Sequence, residues 1–235
     1  ASVRAIFLYG ILLATLIPVV QNLLALINRT FLSTANLESY RAIAGGYQTW
    51  SDNLLAIVIN LLVAAYFWNI LKNNWRTLNE TENFTEIRRL YRFVWVLYGL
   101  LMTVYGAQLA LDFIFTLPSE VLGSLGRESV VNAIALLVIG SPIWIYSWRL
   151  LQDALVDSAE RESYLRLGIL YLLTLGSAII VLIASGNLIY RILLQLTGSA
   201  ESWSNFLQEI GAPISLGLPF GVIWAYYGKW LRGQF

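Results

Sequence analysis

The chain of 235 residues is 58% hydrophobic and 12% charged, whereas roughly a quarter of the residues in soluble domains are charged, so it needs an apolar solvent. Its net charge of +1 offers no basic field for nucleic acid. The absence of cysteine and histidine excludes disulfides, zinc fingers and haem held by these residues. We expect an all-α, polytopic integral membrane protein without a cofactor or a metal.

Six apolar stretches predict six transmembrane helices, because about 20 helical residues cross a hydrocarbon core about 30 Å thick. The first span runs from about Arg4 to Asn28, and its apolar part is too long for the core of a signal peptide. The second begins near Trp50, with Ser51 or Asp52 as its N-cap, and ends by residue 72. The remaining spans cover about 91–115, 129–148, 165–194 and 205–230.

The sixth predicted span contains Pro213, Gly217 and Pro219. Each proline removes a backbone donor and frees a carbonyl, so this helix is the one predicted to be broken. A broken membrane helix can line an ion or substrate site. The alternative is a packed kink without a ligand, in which neighbouring helices satisfy the freed carbonyls.

Lysine and arginine are distributed unequally between the two sides of the six spans. Of the 15 such residues, 11 fall on the side that holds both termini and four fall on the other. By the positive-inside rule, both termini are predicted to be cytoplasmic.

An internal repeat is predicted from evenly spaced features. Arg4, Arg88 and Arg166 open the odd-numbered spans, and Ala65, Pro142 and Pro219 lie at even spacing near the ends of the others. The single transmembrane domain, residues 1–235, would therefore hold three units of two spans each, approximately 1–76, 77–152 and 153–235. Because each unit crosses the membrane twice, the three copies would enter it in the same direction.

The ending of the fourth span carries a resemblance. The pattern Gly140-x-Pro142-x-Trp144-x-x-x-Trp148-Arg149, followed by a charged loop and an arginine that opens an apolar helix, resembles an uncharacterised family of bacterial multi-span proteins known as a domain of unknown function. The similarity covers about residues 88–195. It implies a bacterial inner or cell membrane protein and supplies no activity.

Ionisable groups within spans are costly and suggest function. Four lie toward the non-cytoplasmic ends: Asp52, Asp112, Arg191 and Glu209. Asp112 follows Gln108 by four residues and Arg191 follows Asn187 by four, so the two occupy equivalent positions and predict an ion pair between neighbouring units. The alternative is that both are solvated in the headgroup zone, with the arginine snorkelling.

Aromatic and basic residues at the cytoplasmic ends suggest contact with lipid headgroups, through indoles at the interface and a guanidinium on phosphate. The alternative is that these residues only fix the depth of the helices in the bilayer. The candidates are Trp68, Trp75, Trp144, Trp148, Arg149, Trp224 and Trp230.

The sequence favours a non-catalytic membrane module, either a scaffold or a membrane subunit of a larger or oligomeric assembly. Its expected partners are the lipid bilayer and other membrane subunits or copies of itself, and no nucleic acid. The alternative function is a transporter or channel, with a path lined by the outer charged residues and a broken sixth helix. A lipid-modifying enzyme ranks last, because only Asp52, Asp112 and Glu209 could supply acid–base chemistry.

Overall fold

The computed structural model describes residues 2–78, 82–117, 124–154, 163–197 and 203–233. These residues form six long α-helices and one short 3-10 helix, Ser39–Arg41, and contain no strand. Each long helix is apolar enough to cross a membrane, which confirms the predicted all-α fold with six spans. The helices are α1 (Ser2–Thr34), α2 (Trp50–Leu78), α3 (Glu82–Thr116), α4 (Ser124–Asp153), α5 (Tyr164–Leu196) and α6 (Trp203–Arg232).

The helices extend beyond the predicted spans. Helix α3 begins at Glu82, nine residues before the predicted start of the third span at about residue 91. Helix α4 begins at Ser124, five residues before the predicted start of the fourth span at about residue 129, so Gly126 and Arg127 are helical. Charged residues limit how much of a helix can lie in lipid. They do not end the helix, because its backbone hydrogen bonds can continue into the aqueous phase. Parts of the predicted loops, 79–81, 118–123, 155–162 and 198–202, lie outside the described residues.

Residue contacts divide the chain into two units, residues 1–100 with 138–153 and residues 101–137 with 154–235. The first unit contains the antiparallel pair of α1 and α2. Their shared core includes Leu8 and Leu12 of α1 and Leu71 of α2, all of them buried. The boundaries between the two units fall within α3 and α4 and do not coincide with the ends of the three predicted repeat units. The repeat therefore stays a prediction.

The second unit contains the antiparallel pair of α5 and α6. Gly228 lies beside Thr174, and Gly217 lies beside Ala184, so early positions of α5 meet late positions of α6. Leu170, Ser177 and Ala184 are buried on α5 and are seven residues apart. This spacing is that of a coiled-coil stripe, in which side chains of one helix fill gaps on the other.

Helix α6 is a single α-helix from Trp203 to Arg232, so the break predicted at Pro213, Gly217 and Pro219 is not observed. Both prolines are buried. A Cβ atom at Gly217 would lie 3.0 Å from Ala184 Cβ, and one at Gly211 would clash with Phe115 Cβ. The small residues of α6 therefore permit close packing on neighbouring helices, which corresponds to the packed alternative.

Candidate functional site

An ion pair joins α5 and α6 toward the end of α5 and the start of α6. Arg191 Nη1 lies 2.8 Å from Glu209 Oε2, and the two side chains are 35% and 38% exposed. The structure therefore gives Arg191 a different partner from the predicted Asp112. The antiparallel packing of α5 on α6 places Glu209 beside Arg191. Equivalent positions in two repeat units do not show which helix supplies the carboxylate nearest to the arginine. A pair this exposed contributes about 0–1 kcal/mol.

The other polar residues that the sequence singled out on α3 and α5 do not join this pair. Asp112 is half-buried on α3, and its backbone carbonyl accepts a hydrogen bond from Thr116 Oγ1 at 3.1 Å. Gln108 is half-buried and Asn187 is exposed. Within the described residues, the structure brings together two of the predicted charges, Arg191 and Glu209.

Asp52 belongs to the start of α2. The Thr49 backbone N–H donates to Asp52 Oδ2 at 2.8 Å, and the Asp52 N–H donates to Thr49 Oγ1 at 3.2 Å. This reciprocal arrangement is a capping box that satisfies free donors of the first helical turn. The N-cap residue is therefore Thr49 and not Ser51 or Asp52, which corrects the predicted cap. Asp52 takes part as the second member of the capping box. Asp52 has a structural role here.

Two fully buried carboxamides are not among the polar residues predicted from the sequence, which were ionisable groups together with Gln108 and Asn187. Asn28 of α1 and Asn53 of α2 are both 0% exposed. Neither side-chain polar atom of Asn53 has a hydrogen-bond partner among the described residues. Leaving such a group buried and unsatisfied costs about 1–3 kcal/mol. The signal in the sequence was an asparagine one turn inside the start of an apolar helix.

We expect Asn53→Leu to raise the midpoint of thermal unfolding of the detergent-solubilised chain, because it replaces an unsatisfied amide with an apolar side chain of similar size. Asn60→Leu is the matched control on the same helix, since Asn60 Nδ2 donates to the Ala56 carbonyl at 2.8 Å. The control should change the midpoint little. A marked loss of stability in Asn53→Leu alone would contradict the prediction.

The tryptophans predicted at the interface fall into different environments. Trp68 and Trp224 are 45% and 47% exposed, as an interfacial anchor requires. Trp75 is half-buried, and its Nε1 donates to Tyr9 Oη at 3.3 Å. Trp148 is only 7% exposed and belongs to the core, so the prediction of an anchoring role for it is corrected. Trp144 and Trp230 are half-buried and Arg149 is exposed.

The six apolar helices define a multi-pass α-helical membrane protein, in which Arg191 and Glu209 form an ion pair. A family model described as a domain of unknown function (DUF5671) matches residues 89–222, which is more than half of the chain. The chain therefore belongs to this family, and the match reaches further toward the C-terminus than the predicted 88–195. No curated protein and no solved structure matches the chain.

Proposed function

We propose that the protein is a non-catalytic membrane module that associates with a second copy of itself through α5, and so serves as a scaffold or as a subunit of an oligomeric assembly. The observation that carries this proposal is a stripe of exposed apolar residues along α5, which we call the α5 seam. Its nine members are Gly168, Leu172, Leu175, Ile179, Leu182, Gly186, Ile189, Leu193 and Leu196, all exposed.

The α5 seam has the spacing of a coiled-coil interface. Along the whole helix, successive members are separated alternately by four and three residues. This spacing keeps them on one face of the helix, as in helices that pair in a coiled coil. The same spacing occurs on the buried stripe of Leu170, Ser177 and Ala184, which packs on α6. The α5 seam lies on the side of α5 opposite to that stripe. One face of α5 thus packs on α6, while an equally regular face has no partner among the described residues.

The glycines of the α5 seam support close approach of a second helix. A Cβ atom at Gly168 or Gly186 would meet nothing within 4 Å in this chain. In membranes, helix association depends on packing, and small residues let two backbones come close. Because all copies insert in the same direction, two α5 helices would run parallel and present the same surface to each other, as twofold symmetry requires.

Two of the three acids that could serve catalysis or transport have side chains engaged in local contacts. Asp52 closes the capping box with Thr49, and Glu209 pairs with Arg191. A transport path lined by the outer charges is less well supported, because α6 is continuous and this ion pair is one-third exposed. These contacts favour the non-catalytic module over the transporter or channel.

The threefold repeat and the cytoplasmic termini are part of the proposal. Thr15, Gly99 and Ser177 each follow the opening arginine of an odd-numbered span by 11 residues, and all three are small and buried. Leu71 and Trp148 are 77 residues apart near the ends of α2 and α4, and both are buried. Equivalent burial at equivalent positions supports the repeat, and the excess of basic residues on one side supports the orientation.

The test of self-association uses the full chain in mild detergent and in bilayers. We expect the wild type to sediment as a dimer or larger assembly, and Leu182→Ala combined with Gly186→Ile to weaken association at least tenfold, because one change removes a packing side chain and the other blocks close approach. Energy transfer between labelled copies in vesicles should fall in parallel.

The control is Leu62→Ala, which alters an equally exposed leucine of α2 outside the α5 seam; Leu62 is 67% exposed and Leu182 is 71% exposed. This variant should associate like the wild type. A monomeric wild type in both media, or unchanged association of the seam variant, would contradict the proposal.

A further inference from the structure

A cleft lies between α5 and α6 at the end of the pair where α6 terminates. It has a volume of about 440 Å³ and is open on one side. Its lining residues are Thr174, Trp224, Ala225, Gly228, Lys229, Leu231 and Arg232. The absence of a side chain at Gly228 helps to keep this space open, since a Cβ atom there would come within 3.6 Å of Thr174 Cγ2.

We infer that this cleft binds the phosphate of an anionic phospholipid headgroup. Lys229 and Arg232 place two positive charges on one wall. Both residues are exposed, so neither is buried within the helix pair. Lysine serves as a point charge for phosphate, and the planar guanidinium of arginine can hold two phosphate oxygens at once.

The hydroxyl of Thr174 provides a second, independent observation. Its Oγ1 atom is buried and has no hydrogen-bond partner among the described residues. Other hydroxyls of the spans donate to a carbonyl one turn earlier, such as Thr15 to Ile11 at 2.9 Å and Ser215 to Ala212 at 3.0 Å. Thr174 is among the residues that line the cleft, and rotation about its Cα–Cβ bond would turn this unused hydroxyl toward the opening. A phosphate oxygen in the cleft would accept from it.

The position of the cleft favours a lipid over a soluble phosphate compound. The cleft opens at the end of a membrane span, and Trp224, which is 47% exposed, lies on its wall. Exposed tryptophan and basic residues near helix ends are typical of the headgroup level of a bilayer. The side chains of Ala225 and Leu231 add apolar surface for the start of an acyl chain. Basic residues that only neutralised the helix C-terminus would need neither a cleft nor the threonine hydroxyl.

The experiment measures binding of lipid to the full chain in a neutral detergent. Phosphatidylglycerol is titrated against the protein, and phosphatidylcholine and inorganic phosphate are titrated separately, with thermal stabilisation as the readout. We expect phosphatidylglycerol to raise the unfolding midpoint saturably, with an apparent Kd that increases with salt, and the other two probes to have little effect. The inference does not depend on self-association through α5.

Variants locate the binding. Lys229→Gln combined with Arg232→Gln should weaken phosphatidylglycerol binding at least tenfold, and Thr174→Val, which keeps the shape, should weaken it severalfold. The matched control is Lys72→Gln combined with Arg4→Gln, two exposed basic residues near the end of α2 and the start of α1. This control should bind as the wild type does.

Three results would overturn the inference. One is equal stabilisation by phosphatidylcholine and phosphatidylglycerol, and another is equal loss of binding in the control pair. The third is stabilisation by inorganic phosphate alone, which would make the cleft a site for a soluble phosphate compound. If a glutamine variant fails to fold, the salt dependence of wild-type binding and the Thr174→Val variant still decide the outcome.

Discussion

We expect Trp148→Ala to lower the stability of the protein more than truncation of any of the more exposed tryptophans. Trp148 is 7% exposed, and truncating a buried tryptophan to alanine typically costs about 3–5 kcal/mol through lost contacts and the cavity that remains. The measurement is the midpoint of thermal unfolding of the detergent-solubilised chain, followed by helical circular dichroism.

Trp68→Ala is the control for this experiment, because Trp68 is 45% exposed and leaves no closed cavity when it is truncated. Its midpoint should remain close to that of the wild type. If the two variants lost stability equally, Trp148 would act as an interfacial anchor and its assignment to the core would be mistaken.

The second large effect is expected at Gly99, where α3 approaches α4. A Cβ atom at this position would lie 2.5 Å from Trp144 N and 3.0 Å from the Gly140 carbonyl oxygen. Because both atoms belong to the backbone, no side-chain rotation relieves the clash, and the two helices must separate. We expect Gly99→Ala to destabilise the protein by about 2–3 kcal/mol, measured by the same thermal assay.

Gly10→Ala separates this clash from the effect of alanine on a helix. Gly10 lies in α1, and a Cβ atom there would meet nothing within 4 Å. Alanine favours the helix by about 1 kcal/mol over glycine, so this variant should be as stable as the wild type or more stable. A Gly99→Ala protein with the stability of Gly10→Ala would refute the close contact.

Composition and apolar length sufficed to predict six membrane helices, because transfer into hydrocarbon dominates their placement. Details of the candidate site depended on which helix faces which. The sequence placed Arg191 near the end of a span but could not identify Glu209 as its partner, since that requires the register of α5 on α6. Trp148 and Trp68 look alike in sequence, although one is buried and the other is exposed.

The α5 seam and the buried carboxamide were missed for related reasons. In a membrane helix, the face that packs on protein and the face that meets lipid are both apolar, so Leu182 on the exposed side and Leu170 on the buried side cannot be distinguished by hydropathy. Asn53 carries no charge and did not stand out among the ionisable groups. Its burial is a property of the folded chain, which hydropathy does not reveal.

The pairing of α5 with α6 has a consequence for biogenesis. Helix α5 is the most apolar of the six candidate spans, whereas α6 is the least apolar and contains two prolines and Glu209. Insertion from the translocon depends on the apolar character of each segment, so α5 enters lipid readily and α6 gains from a neighbour that has already entered. The connection between the two helices is short, and Arg191 of α5 can pair with Glu209 as α6 enters. Both features suit the insertion of α5 and α6 together as one hairpin.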